Sequence, residues 1–201
     1  MVESALHGFL KVVGKAFLLN QGCFLVDTEV SLSRFGQTRL YDLDGHHVID
    51  VCGVGERFKK VRGRPNGEGP GSYEVAENVL RGVEVKVSRS DFRNGFVCTG
   101  CNYNYLLTPM RLVTPWEVPR GVGLVEYNRH KFDVELAEED RLSFRGLRVV
   151  KNPSFRSIGR YQVDSATSFM IRRSMTEGLE DALGELRQAE QDLASGSEKR
   201  I

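Results

Sequence analysis

The sequence predicts an α/β domain: a mixed β-sheet flanked by helices, with a further helix at the C-terminus. Three observations predict it. Apolar residues recur at helical spacing near the N-terminus, alternating runs suited to strands fill the middle, and a leucine series at helical spacing closes the chain. At 201 residues the chain is long enough for one domain with a real core and an appendage. We place the domain at 1–163, and a helix with a flexible tail at 164–201.

The first element is a helix over residues 2–20. Leu6, Phe9, Leu10, Val13, Phe17 and Leu18 fall on one face, and Gly22 stands just beyond as a stop. Residues 24–33 alternate as a strand, with Leu25, Asp27, Glu29, Ser31 and Ser33 on one face and Phe24, Val26, Thr28, Val30 and Leu32 on the other. Asp44-Gly45 signals a turn, and residues 47–54 form a second strand with Asp50 among Val48, Ile49, Val51 and Cys52. A carboxylate in an apolar strand costs free energy unless it is paired, hydrogen-bonded or holding a metal. An edge strand with one wet face is the ordinary alternative.

Residues 55–72 change character. Arg57, Lys59, Lys60, Arg62 and Arg64 crowd the first half, and glycine and proline the second. The segment reads as a basic flexible loop suited to phosphates, or as a solvated insertion. Residues 73–82 then lead into a strictly alternating strand, Val83-Glu84-Val85-Lys86-Val87. Glu84 and Lys86 share its polar face, about 7 Å apart along the strand. Such a pair is common on half-exposed strands, with its charges in water.

Residues 92–104 suit a short helix or an irregular crossover. Residues 105–113 suit a buried strand broken by Pro109, residues 117–128 a turn and a strand, and residues 130–137 and 144–151 two weaker strands. From about residue 165 the chain reads as helix, with Leu179, Leu183, Leu186 and Leu193 forming a narrow seam expected to dock on the body. The tail 195–201 is expected to be disordered.

Composition narrows the functional classes. A net charge of +1 gives no global electrostatic case for nucleic acid, so a basic footprint must be local. No apolar run approaches the roughly 18 residues of a membrane span, and no leader-like start is visible, so a cytoplasmic location is expected. Of the four cysteines, Cys98 and Cys101 form a CxxC able to bind zinc or exchange electrons. Cys23 and Cys52 would complete a four-thiolate site only if the fold gathered them; free structural thiols are the default.

Adjacent strands can bring Asp50, Glu84 and Lys86 into one cluster. Two carboxylates with a backbone carbonyl, here that of Val85, are hard oxygen ligands suited to Mg²⁺ or Mn²⁺. Lys86 would orient a water or stabilise developing negative charge on a phosphodiester. At these residues the chain resembles the PD-(D/E)xK nuclease superfamily, whose signature is an Asp at one strand and an (Asp/Glu)-x-Lys on the next. It resembles most the MmcB-like DNA-repair nucleases, through Thr28-Glu29-Val30, Ile49-Asp50-Val51, the run from Glu84 to Phe92, and Tyr103 to Pro109. Val118-Pro119 and Gly123-Leu124-Val125 extend the likeness, which covers roughly residues 1–128.

The resemblance implies a restriction-endonuclease-like fold and a metal-dependent deoxyribonuclease using Mg²⁺ or Mn²⁺. Asp50 and Glu84, with the carbonyl of Val85, would be metal ligands, Lys86 the catalytic lysine, and Glu29 a supporting carboxylate. Ser88 and Asp91 match the motif, and Asp91 also suits an N-cap before Phe92. Arg57, Lys59, Lys60, Arg62 and Arg64 would contact DNA phosphates, with Arg89 and Arg93 as further contacts. A homodimer through the C-terminal helix is a further expectation. The chain departs from the family in its long connection between Asp50 and Glu84 and in the CxxC within its crossover. A non-catalytic nucleic-acid-binding module on the same fold, and a CxxC redox or zinc protein, are the rival readings.

Overall fold

The computed structural model describes residues 4–33, 46–60, 73–95, 100–136 and 142–197. Helix α1 (Ala5–Asn20) opens the chain, with Ser4 as its N-cap. Strands β1 (Cys23–Ser33), β2 (His46–Lys60) and β3 (Tyr73–Val85) follow, then the short helix α2 (Arg89–Arg93). Strands β4 (Tyr103–Pro109), β5 (Val122–Tyr127), β6 (Asp133–Leu136), β7 (Leu142–Arg145) and β8 (Leu147–Lys151) lead to the long helix α3 (Arg160–Ser197).

Six strands form one mixed sheet in the order β1-β2-β3-β4-β5-β8, and β6 pairs with β7 as a separate hairpin. The pairs β1·β2, β2·β3 and β5·β8 are antiparallel, while β3·β4 and β4·β5 are parallel. Parallel neighbours require crossovers. The first carries α2; the second is the loop 110–121. The chain is thus an α/β protein with a mixed sheet, helices on both faces and a C-terminal helix.

The sheet buries both faces. On one face α1 places Leu10, Val13, Phe17 and Leu18 over Val51, Val83, Val85, Tyr105, Leu107 and Val125. Gly14 lets the helix approach closely: a Cβ there would lie 3.0 Å from Val51 Cγ2. On the other face Val163, Ala166 and Met170 of α3 cover Val30, Leu32, Ile49, Cys52, Val54 and Leu80. A third cluster on Leu106, Val122 and Leu124 is closed by Val113 and Val118 of the loop 110–121.

Several expectations change. Residues 55–60 are not loop: they continue β2 and pair with the start of β3, since Arg57 and Glu77 face each other across the ladder. Asp44-Gly45, Arg62, Arg64 and Cys98 lie outside the described residues. The region 130–151 holds three strands rather than two, because Gly146, at φ 75°, turns the chain between β7 and β8. The described part of the leucine seam, Leu179, Leu183 and Leu186, does not dock. Leu179 and Leu186 are 61% and 62% exposed, because the helix attaches through the preceding stripe at Val163, Ala166 and Met170. That helix also continues through Ser197, into the stretch expected to be disordered.

Candidate active site

The site forms where β2 parts from β3. Regular pairing of the two strands ends at Val51 opposite Val83. Beyond it the Asp50 carboxylate takes the next β3 amide: Val85 N–H donates to Asp50 Oδ2 at 2.8 Å. A side chain thus replaces the neighbouring strand's carbonyl, which satisfies a donor that would otherwise be orphaned. Strand β2 stays paired with β1 through this point, from Val51 opposite Thr28 to Ile49 opposite Val30.

Between those pairs Glu29 lies across from Asp50, and its backbone is left-handed at φ 53°. This conformation is strained for a non-glycine residue. It changes which face the strand presents. Val26 packs in the α1-side cluster, whereas Val30 and Leu32, of the same parity, pack under α3. Val51 and Ile49 divide between the faces in the same way. The alternation expected across 24–33 therefore breaks at Glu29, and the β1–β2 ribbon rolls over at the level of Glu29 and Asp50. Arg173 of α3 holds the ribbon there, donating from Nη1 to the Thr28 carbonyl at 2.9 Å and approaching Asp27 Oδ2 at 3.6 Å.

Glu84 and Lys86 project from the same face of β3 and its extension, as their spacing requires, with Lys86 Nζ 3.2 Å from Glu84 Oε1. Both side chains are only 13% exposed. Burial, then the charge of Asp50, pushes the Glu84 carboxyl up to about 7 against the pull of Lys86. For Lys86, burial works against the ammonium, but Glu84 and Asp91 outweigh it and hold its pKa above the ordinary value. Lys86 is therefore a cation at neutral pH, suited to stabilising negative charge and unsuited to taking a proton.

Three further residues complete the cluster. Lys11 of α1, only 10% exposed, lies 2.9 Å from Glu29 Oε1 and 3.8 Å from Asp50 Oδ1. His7, one helical turn earlier, places Nε2 3.5 Å from Asp50 Oδ2. Asp91 approaches Lys86 Nζ at 3.5 Å and accepts the Val87 N–H at 3.1 Å. The N-cap of α2 is Ser88, not Asp91: Ser88 Oγ accepts from Asp91 N–H while the Asp91 carboxylate reaches back, a reciprocal cap. Sequence reading passed over His7 and Lys11. The available signal was a lysine next to Leu10, one turn after a histidine on the same helix face.

The donor set suits a small hard cation. Burial first, and then the charge of Asp50, raises the Glu84 pKa, and a divalent ion would offset both. With two carboxylates as the side-chain ligands, the remaining positions would fall to a backbone carbonyl and waters, as Mg²⁺ prefers. Val85, expected to lend its carbonyl, commits its N–H to Asp50. Among the described residues no group of three or more His, Cys, Asp or Glu gathers into a cage. Glu29 is drawn to Lys11, whose ammonium also approaches Asp50.

The basic residues divide. Arg57 bonds Glu77 at 2.7 Å and lies over the Phe155 ring at 3.8 Å, so its charge is already partnered. Arg89 is paired with Glu117 at 2.8 Å, and Arg93 is exposed in the last turn of α2. Lys59 and Lys60 end β2 opposite Glu74 and Tyr73. Among the described residues the cysteines do not gather into one thiolate site. Cys52 and Cys101 lie 4.0 Å apart beneath α3, whereas Cys23 packs in the cluster on the opposite face.

No family model matches the chain. No curated protein matches it either. A solved structure of a protein of unknown function from Silicibacter pomeroyi is similar, at 15% identity over 76% of this chain and 75% of that one, with a TM-score of 0.42. No helix among the described residues is long and apolar enough to cross a membrane.

Proposed function

We propose that the protein is a metal-dependent nuclease that hydrolyses DNA phosphodiester bonds, in DNA repair or processing. One observation carries the reading: the Asp50 carboxylate bonds the Val85 N–H, beside Glu84, where the β2–β3 ladder opens, with the Lys86 ammonium against Glu84. The residues order themselves for that chemistry. Val85 N–H fixes the Asp50 carboxylate, and Asp91 gives Lys86 a second carboxylate partner at 3.5 Å. Bound Mg²⁺ or Mn²⁺ would polarise the phosphodiester and activate a water. Lys86, held as a cation, would stabilise the charge that builds on the phosphate oxygens.

The test is cleavage of linear, circular, single-stranded and branched DNA with Mg²⁺, Mn²⁺ or EDTA, beside Lys86→Ala and Asp50→Ala. Metal-dependent cutting lost in both folded variants supports the reading, and full activity in both overturns it. DNA binding without cutting on any substrate would favour a non-catalytic binding module. A homodimer through α3 belongs to the same proposal, motivated by the exposed Leu179, Leu183 and Leu186. A monomer mass by light scattering would remove it.

A further inference from the structure

The protein's one tryptophan, Trp116, is 82% exposed, the most exposed of its large apolar side chains among the described residues. A side chain of this size normally buries most of its surface, so its position calls for a cause. It does not stand on a loose loop. Thr114-Pro115-Trp116-Glu117 forms a tight turn, closed by Glu117 N–H donating to the Thr114 carbonyl at 3.0 Å. Proline at its second position is the residue such turns favour. Thr114 donates to Glu117 Oε2 from both its amide and its hydroxyl, at 2.8 and 2.6 Å.

The turn is also anchored from outside. Lys151 Nζ of β8 donates to the carbonyls of Pro115, Val118 and Pro119 at 3.3, 2.7 and 3.0 Å. Val113 and Val118, on either side of Trp116, are buried in the third core cluster. Glu117 Oε1 meets Arg89 Nη1 at 2.8 Å, which ties the turn to the first residue of α2, three positions after Lys86. The bonds from Thr114 and Arg89 hold the Glu117 carboxyl down to about 2, so the tether keeps its charge at any working pH. Arg111 and Arg120 are exposed on the same loop.

A rigid turn therefore presents an indole face to solvent, tied through Glu117 and Arg89 to the helix that begins three residues after Lys86. We propose that Trp116 is a stacking platform for an unpaired base of a DNA strand whose backbone enters the site, so that the substrate class is DNA with a single-stranded segment. This rests on the nuclease reading. Every base offers a π-face once it is unstacked, whereas the bases of an intact duplex hide theirs from a side chain outside the helix. Because the turn is already ordered, stacking costs little further entropy.

The single tryptophan makes the test direct. The whole protein in EDTA is titrated with a labelled thymidine oligonucleotide and with a blunt duplex of equal length, while oligonucleotide anisotropy and tryptophan emission are read together. The expected result is saturable quenching by the single strand at concentrations where the duplex has little effect. Trp116→Ala should bind the single strand roughly tenfold more weakly, with Trp116→Phe close to wild type. Binding seen by anisotropy with unchanged emission, wild-type binding by Trp116→Ala, or equal quenching by duplex would each overturn the platform and leave the nuclease reading standing. No binding of any DNA would overturn both.

Discussion

Asp50 accepts the backbone amide of Val85 across 2.8 Å, and with that bond the β2–β3 ladder ends. The carboxylate has two jobs, one structural and one electrostatic, and substitution can separate them. Asn retains an oxygen able to accept the amide; Ala does not. We expect Asp50→Ala to lose about 1–3 kcal/mol of stability, the cost of leaving a buried donor unpaired. Asp50→Asn should melt within a few degrees of wild type. Both should lose metal-dependent cleavage. Chemical denaturation of the two variants checks the split, and equal stability of the two would show that the amide finds another partner.

Glu84 should make the metal-free protein sensitive to pH in an unusual direction. Its carboxyl is raised from 4.5 to about 7 by burial and by Asp50. Between those values the folded chain keeps a proton that the unfolded chain has lost. Stability is therefore greatest below the lower value, falls as pH rises through the window, and levels off above the upper one. The loss is on the order of 3 kcal/mol if the whole shift is expressed. Glu84→Gln should abolish that slope, melting above wild type at pH 8 and near it at pH 4.5. Thermal denaturation across this range in EDTA would show it, and parallel wild-type and Gln curves would refute it.

The same proton must leave when a divalent cation binds. Mg²⁺ affinity should rise with pH up to about 7 and flatten beyond it. Calorimetry in two buffers of different ionisation enthalpy would count the released proton at pH 6. A proton count of zero there would mean that Glu84 is already ionised, or does not meet the ion.

Lys11 holds its ammonium 3.8 Å from Asp50 Oδ1, close to where a metal would sit. Lys11→Met removes that competing positive charge while keeping most of the stem. Mg²⁺ should then bind several-fold more tightly by simple electrostatics. Weaker binding would assign Lys11 the opposite role, that of holding Asp50 in place.

Asp91 joins the cap of α2 to Lys86. Asp91→Ala should cost about 1 kcal/mol through the lost cap and also lower the cleavage rate, since Lys86 loses the partner that orients it. A fall in cleavage rate with unchanged KM for DNA would separate orientation of Lys86 from substrate binding. An unchanged rate would limit Asp91 to capping.

Much of this centre was legible before any coordinates. Strict alternation from Val83 to Val87 fixes the face of Glu84 and Lys86, because a strand side chain has only two sides to choose from. Asp50 was conspicuous because an apolar strand has no reason to carry an unpaired charge. What escaped was set by tertiary context. Nothing in the sequence marks Glu29 as left-handed, since such a backbone usually announces itself by glycine. Lys11 carries no mark of its own because helical patterns are read from apolar positions, yet it turns inward to meet two carboxylates. Residues 55–60 read as loop because their composition is basic, whereas they pair in register with the start of β3, with Arg57 bonded to Glu77 across the ladder. The leucine seam of α3 was legible as a stripe, but a stripe does not say which partner it serves.

The partnering of surface guanidinium groups has a thermodynamic consequence. Arg57, Arg89, Arg148 and Arg173 each face a carboxylate, and the Lys151 ammonium is wrapped in three carbonyls. A cation already neutralised at home displaces few condensed counterions from a polyanion. Each phosphate neutralised by a free cation contributes nearly one unit to the slope of log affinity against log salt. A chain of net charge +1 with these four arginines occupied in this way should therefore show a shallower salt dependence than its arginine content suggests, its hold on a strand resting more on contacts that sodium cannot compete for.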